Sequence, residues 1–294
     1  MINIVILRLY GGLGNQMFQY CAGRRMAILT SSELVLDTVS GFKRDTKYNR
    51  SYALGELNVL GRKTRPSERL EPFERFRRFA FKRLQLFIPK RSRTYITESS
   101  WDIFNNKIAP MGNRIYLDGY WQTSTHFLAY AELLRTELRL GEMAMAPILD
   151  VKNMVLSEQS VAIHIRWFGK DAEFSETKTG EAYYRNAIQR IEELVCRPKF
   201  YVFSDKPTLA SQLMEKFDIK YQLISDVKTD MTAEQEMYII SECKHKIIGN
   251  STFGWWSAAL SERIGGYVIC PEPATYSGVK WGSDGMLLDS WLKL

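Results

Sequence analysis

Residues 245–256 read HKIIGNSTFGWW, a short apolar strand that breaks on Gly249-Asn250-Ser251-Thr252 and runs into Trp255 and Trp256. Polar turn groups between a strand and a helix mark where an α/β chain holds a nucleotide or sugar phosphate, because helix-start amides and small hydroxyls meet phosphate oxygens there. Ser251 and Thr252 serve equally well as caps of the following helix. The junction alone leaves both roles open.

Outward from it, the second half repeats one rhythm. Ser160–Arg166, Phe200–Phe203, Tyr221–Ile224, Lys246–Ile248 and Tyr267–Ile269 read as strands. Between them, Glu181–Cys196 carries Tyr184, Ile188, Ile191 and Val195 at helical spacing. Leu209–Phe217 reads as a second helix, Thr232 with Gln235 forms a capping box for a third, and a fourth starts near Phe253. Strand-helix alternation of this kind predicts an α/β fold with a parallel sheet and polar groups at the carboxyl ends of its strands.

The first half opens the same way, with strand Ile2–Leu9, the turn Gly11-Gly12-Leu13-Gly14, a helix from about Asn15 to Leu29 and strand Leu34–Asp37. Residues 41–114 are irregular and charged. Strand Ile115–Leu117 then leads through Gly119-Tyr120-Trp121-Gln122 to a helix over Phe127–Leu140, and Glu142–Ser160 reads as a linker with room for a helix. The expected domains are 1–150, 151–280 and a C-terminal segment 281–294 that packs back on the first domain.

The chain has 294 residues, 45% of them hydrophobic, enough for one large or two medium cores. Cys21, Cys196, Cys243 and Cys270 are far apart and mostly in apolar contexts, which suits buried thiols better than a disulfide or zinc framework. Three histidines without ligand-like spacing predict no metal site. No basic leader or membrane-length apolar run is present in the sequence, so the expected location is a reducing cytoplasm.

The formal charge of +7 calls for an anionic partner. Residues 75–93, RFRRFAFKRLQLFIPKRSR, hold eight basic and no acidic side chains, interleaved with Phe76, Phe79, Leu84 and Phe87. A helix packed on its domain with snorkelling cations and a peripheral contact with an anionic membrane both fit. Nucleic acid is not expected, because no recognition motif stands beside the segment.

Three clusters carry candidate chemistry. GGLGNQ at 11–16 sits where phosphate loops sit, yet it has neither the Lys-Ser/Thr of a P-loop nor the spacing of a dinucleotide fingerprint. Its glycines permit close approach of a ligand, and Asn15 and Gln16 offer hydrogen bonds. In Val161–Arg166, alternation places His164 and Arg166 opposite Ile163 and Ile165, near the strand end. Arg166 can neutralise phosphate with a two-pronged fork, and Asp171 can orient it, take a proton or face water. Ser204-Asp205 ends the next strand, where Asp205 suits a guanine edge, a ribose, a nearby cation or a turn cap.

Together GGLGNQMFQYCAG (11–23), LDT (36–38), GYWQTSTHF (119–127), HIR (164–166) with Asp171, FSD (203–205) and ECKHKIIGNSTFGWWSAAL (242–260) resemble the ordered motifs of the bacterial α-1,2-fucosyltransferases, inverting enzymes of glycosyltransferase family 11. The resemblance implies a GT-B architecture with two Rossmann-like domains facing a central cleft. It also implies inverting transfer of fucose from GDP-β-L-fucose to a galactose 2-hydroxyl without an essential metal. The acceptor would be a galactose-containing oligosaccharide or lipid-linked glycan.

Carried over residue by residue, the resemblance puts His164 and Arg166 in the family's His-x-Arg strand, with Arg166 on the diphosphate. Ser204, Asp205, Asn250, Ser251 and Thr252 fall on the donor rim, and Gly12, Gly14, Asn15 and Gln16 on the amino-domain loop facing the cleft. Tyr120-Trp121-Gln122 lies near the acceptor, unless Trp121 is core. Asp171 is preferred to His164 as base, with the departing diphosphate as an alternative. Where the family has His-x-Arg-Arg-Gly-Asp, this chain has Trp167 for the second arginine and an additional residue, Lys170, between Gly169 and Asp171. That departure leaves two competing functions open, transfer from another GDP-sugar and nucleotide-sugar binding without turnover.

Overall fold

The computed structural model describes residues 3–43, 45–70, 73–89, 92–98, 113–156, 159–167, 179–225, 231–276, 279–282 and 285–294. The chain divides into two compact units, Met1–Arg139 and Leu140–Leu294.

In the first unit, strands β1 (Ile4–Arg8), β2 (Glu33–Asp37), β3 (Arg62–Lys63), β4 (Tyr95–Thr97) and β5 (Arg114–Asp118) form one sheet in the order β3-β2-β1-β5-β4. Every pairing is parallel. Such strands are covered on both faces, which is why β1 reads as an unbroken apolar run. Helix α1 (Leu13–Leu29) lies on the Leu7 and Leu34 side, where a Cβ on Gly23 would stand 2.9 Å from Leu7 Cδ2. Glycine lets the helix approach the sheet that closely. On the other face Ile6, Val35, Leu70, Tyr95 and Tyr116 pack together with Phe81 of α2 (Glu74–Leu84). The expected helix 127–140 is two pieces, α3 (Ser124–Leu128) and α4 (Ala131–Glu137). Thr123 caps α3 by accepting from the Thr125 amide, and Tyr130 leaves helical geometry between the two.

The second unit starts at Leu140, and α5 (Leu149–Leu156) occupies the stretch expected as a linker. Strand β6 (Ser160–Ile165), α6 (Glu181–Leu194), β7 (Lys199–Ser204), α7 (Pro207–Met214), β8 (Tyr221–Leu223), α8 (Ala233–Glu242), β9 (His245–Ile248), α9 (Thr252–Ala259) and β10 (Val268–Cys270) follow. A hairpin of β11 (Ala274–Tyr276) and β12 (Val279–Trp281) precedes β13 (Leu292–Lys293). The main sheet runs β13-β10-β9-β6-β7-β8, all parallel. Counted in chain order that is the doubly wound arrangement 3-2-1-4-5-6, whose direction reverses between β6 and β9.

Tyr184, Ile188, Ile191 and Val195 are buried as their spacing predicts, and the Thr232–Gln235 capping box forms in both directions. The C-terminal segment 281–294 finishes the second sheet. Leu292 pairs with Ile269, Trp291 packs 5.8 Å from Trp255, and the Trp255 indole donates to the Met286 carbonyl at 2.8 Å. Cys21, Cys243 and Cys270 are buried free thiols and Cys196 is exposed. Burial pushes Cys243 and Cys270 up to about 12, which makes both inert as nucleophiles at neutral pH.

Candidate active site

Ligands of open α/β sheets settle at the carboxyl ends of the strands where the strand order reverses. In the second unit that point lies between β6 and β9, with β7 beside them. The register aligns His164 with Phe203 and with Ile248, so Arg166, Asp205 and Gly249-Asn250 leave the sheet side by side on one rim. The junction quoted first is therefore one wall of the reversal point.

Helix α6 fastens this rim from below. The Tyr183 hydroxyl donates to Ile248 O at 2.6 Å and the Tyr184 hydroxyl to His164 O at 3.0 Å, satisfying carbonyls at the ends of β9 and β6. Arg166 Nη1 stands 2.9 Å from Asp205 Oδ2, with both side chains partly in solvent. The second carboxylate oxygen, Asp205 Oδ1, accepts from the Trp167 amide at 3.0 Å. Asp205 thus pairs with a nearby cation, Arg166, and holds the turn after β6, two of the roles considered from sequence.

His164 lies on the α9 side, its ring stacked 5.1 Å from Phe253, and it is buried. A Cβ on Gly254 would meet His164 Nδ1 at 2.9 Å, so glycine is what lets α9 close over the imidazole. Burial, then repulsion by Arg166, lowers its pKa to about 3, and the ring is neutral at physiological pH. A group enclosed in this way supports the Arg166 strand. Trp167 continues the opposite face, packing with Ile163 and Ile165 against the apolar core.

Ser204, Ser251 and Asn250 are engaged locally. Ser204 Oγ accepts from the Lys206 amide and Ser251 Oγ caps α9 through the Phe253 amide, while Asn250 Oδ1 accepts from Thr179 Oγ1 at 3.0 Å. Thr252 begins α9 at the same rim. Glu236, which sequence reading passed over, joins from the first turn of α8. It accepts from the Ser225 hydroxyl, whose oxygen takes the Ser204 amide proton at 2.9 Å. Burial raises the pKa of Glu236. Asp171 lies outside the described residues.

In the first unit the corresponding point falls between β1 and β5, and the protein fills it with its own charges. Arg8 Nη1 meets Asp118 Oδ1 at 3.4 Å, while Asp118 Oδ2 takes Arg78 Nη2 at 2.7 Å and the Tyr95 hydroxyl. The Asp37 carboxylate accepts from the Tyr116 hydroxyl and from the amides of Val39 and Ser40. Above this network Tyr10 and Tyr120 face each other with ring centroids 4.7 Å apart.

Gly12 and Gly14 sit at the start of α1, and a Cβ on Gly12 would stand 2.0 Å from Arg50 Nη1, so any larger residue there would push the Arg50 guanidinium aside. Asn15 accepts from Gln122 Nε2 at 2.9 Å, which joins the GYWQ segment to α1. Gln16, expected to face a ligand, is buried with its amide consumed. It donates to Gly11 O and Ser51 O and accepts from the Ala53 amide. Trp121 is core, whereas Tyr120 exposes 41% of its surface. Among the described residues no group of three His, Cys, Asp or Glu side chains is placed to hold a metal ion.

Two parallel α/β units, the second with a half-exposed arginine at its reversal point, make the fold GT-B type. Its solved likenesses include the NodZ α-1,6-fucosyltransferase in a crystal soaked with GDP-fucose, at a TM-score of 0.59 and 14% identity, covering 89% of this chain and 93% of that one. The chain belongs to glycosyl transferase family 11, whose pattern matches residues 4–277. It is 29% identical to an α-1,2-colitosyltransferase of Escherichia coli, over 92% of each chain. It is also 26% identical to the O-antigen biosynthesis glycosyltransferase WbnK of Escherichia coli, over 97% of this chain and 99% of that one.

Proposed function

We propose that the protein transfers L-fucose from GDP-β-L-fucose, with inversion, to the 2-hydroxyl of a galactoside during assembly of a bacterial surface glycan. The observation that carries this reading is the shared register of Arg166, Asp205 and Asn250 at the β6/β9 reversal, where a diphosphate would meet a fixed guanidinium. The 1,2-linkage and the O-antigen role of the two relatives support the linkage and the setting.

In the proposed step the acceptor oxygen attacks the anomeric carbon as the bond to the β-phosphate oxygen breaks, and GDP leaves from the opposite face. Charge grows on the leaving oxygen, so Arg166 stabilises the transition state more than the ground state. The hydroxyl proton goes to Asp171, preferred to His164, or to the departing diphosphate. We assign His164 no proton transfer, because it is enclosed and neutral. Tyr120, the exposed member of the Tyr10–Tyr120 pair, is the proposed stacking surface for the acceptor sugar. No metal enters the proposed step, and the proposed location is the cytoplasm, where the donor nucleotide sugar would be met.

A second reading, transfer from another GDP-sugar, is favoured by the colitosyltransferase relative and by Trp167 in place of arginine. Colitose is fucose without its 3-hydroxyl, so a pocket that hydrogen-bonds that hydroxyl would separate the two donors sharply, whereas a pocket that does not would accept both. GDP release and linkage-resolved product should be measured with GDP-fucose, GDP-colitose and a β-galactoside in the presence of EDTA. Fucose on the 2-position with EDTA present is the expected result. Turnover of GDP-colitose alone would move the assignment to the second reading, and GDP-fucose binding without transfer across a broad acceptor panel would make this a binding protein.

A further inference from the structure

We infer that helix α2 and the turn after it are an interfacial docking surface for an anionic lipid bilayer. The helix is amphipathic in an unusual sense, because its charged contacts point inward. Arg78 reaches Asp118, Phe81 stacks 5.9 Å from Tyr95, and Gln85 bonds the Thr94 amide at 3.0 Å. These contacts fix the rotation of the helix about its axis. The remaining face carries Phe73, Phe76, Phe79 and, beyond the helix, Leu86 and Phe87, with exposures of 77%, 73%, 59%, 71% and 86%.

Phe73 adds a local observation. It holds a left-handed backbone conformation at φ 64°, uncommon for a bulky residue, while its ring stays in solvent. Exposed aromatic side chains at this density on one helix face mark a contact surface rather than ordinary surface scatter. Charge selects the occupant. Residues 75–93 contain eight basic and no acidic side chains. Arg75 and Arg83 are exposed, and Arg83 lies over the Phe79 ring at 5.1 Å. Aromatic rings flanked by cations match the boundary between headgroups and acyl chains, with rings below and guanidinium groups among phosphates. Among the described residues no helix is long and apolar enough to cross a membrane, so the contact is one of lying on the surface.

The inference is independent of the sugar that the enzyme transfers. The test is co-sedimentation of the full chain with phosphatidylcholine vesicles, with and without phosphatidylglycerol, at about 0.15 M salt. Expected is retention by the anionic vesicles at least ten-fold above the neutral ones. The Phe76→Ser/Phe79→Ser/Phe87→Ser variant should lose it, and Arg75→Gln/Arg83→Gln should weaken it by about five-fold per cation. Because these side chains are solvent-facing, melting temperature and turnover of a soluble acceptor should stay at the parent values, which separates this result from failure of the proposed reaction. Equal retention of parent and variants, or none at all, overturns the inference. So does sedimentation equilibrium showing that the phenylalanines instead join two copies of the chain.

Discussion

Both units are parallel sheets whose strand order reverses beside the first strand, 3-2-1-5-4 in the first unit and 3-2-1-4-5-6 in the second, and they put opposite things at that reversal point. Between β1 and β5 lies an ion network closed on itself, in which Asp118 is 1% exposed and holds Arg8, Arg78 and the Tyr95 hydroxyl. Between β6 and β9 lies Arg166, 31% exposed at its side chain and paired with Asp205. A reversal point gives an address, and what its side chains already hold decides whether a ligand can use it. Buried ions that satisfy one another are held by the fold. A half-solvated guanidinium beside one carboxylate can take a diphosphate with little loss, because such a pair contributes little to stability.

The sharpest break of this comparison is Asp118→Ala. Burial alone would raise the Asp118 carboxyl, yet Arg8 and Arg78 outweigh it and the net pKa is lowered. Removing the carboxylate strands two cations, and the expected loss is about 3–5 kcal/mol in urea unfolding. Turnover per folded molecule should stay within about three-fold of the parent, the span of ordinary mutational context. A catalytic collapse in a protein of unchanged stability would mean that the first unit's network belongs to the chemistry.

Arg166→Ala should do the reverse. A donor aimed at developing charge contributes about 2.7–4 kcal/mol to the transition state, so kcat/KM should fall by about 10²–10³. The urea midpoint should barely move, since the pair is largely solvated. Asp205→Asn keeps the turn's hydrogen bond and loosens only the orientation of Arg166, and its loss should be roughly ten-fold. Normal turnover by folded Arg166→Ala would remove the second unit's claim to the active site.

Much of this contrast was legible in the residues, and the part that was not is non-local. Strands such as Ser160–Arg166 and Lys246–Ile248 announce themselves by short apolar runs, and the structure moves their ends by a residue at most. Their order in the sheet is not written in any one of them. That β9 returns to lie beside β6 depends on the intervening chain, and only then do Arg166 and Asn250 become neighbours. Gln16 misled for the same reason, since a glutamine after a glycine turn looks like a ligand donor until Ser51 and Ala53, far along the chain, take its amide. Glu236 passed unnoticed because an acidic residue in the first turn of a capped helix already has a local explanation in the helix dipole. Its partner Ser225 belongs to the previous strand's end.

The buried histidines test what the two regions share. His164 in the second unit and His126 in the first are both lowered to about 3, chiefly by burial and then by Arg166 and Arg25 respectively. The unfolded chain takes each proton near pH 6.5, whereas the folded chain refuses it until about pH 3. Stability is therefore full above about pH 6.5 and is lost as pH falls, by about 1.4 kcal/mol per pH unit for each histidine. His164→Phe and His126→Phe should each flatten the urea-derived stability slope between about pH 6 and 4 by one proton's worth. An unchanged slope in one variant would mean that its histidine is already charged in the folded state, and in the His164 case would reopen its part in proton transfer.

The smallest effect is expected where the sequence departs most visibly from its family. Trp167 stands in place of a second arginine, so Trp167→Arg restores the common pattern and invites a gain. Strand alternation argues otherwise. Residue 167 falls on the face of Ile163 and Ile165, packed against the core, while Arg166 falls on the other. A guanidinium introduced there begins on the wrong side of the strand and sacrifices apolar contact at a cost of about 1–2 kcal/mol of stability. The donor KM should change by less than about three-fold, because the new charge does not face the β6/β9 reversal. A ten-fold gain with GDP-fucose would show that the turn after Arg166 swings residue 167 toward the diphosphate when donor binds. In that case Trp167 would set donor choice, and the contrast between the two reversal points would rest on two side chains of the second unit rather than on Arg166 alone.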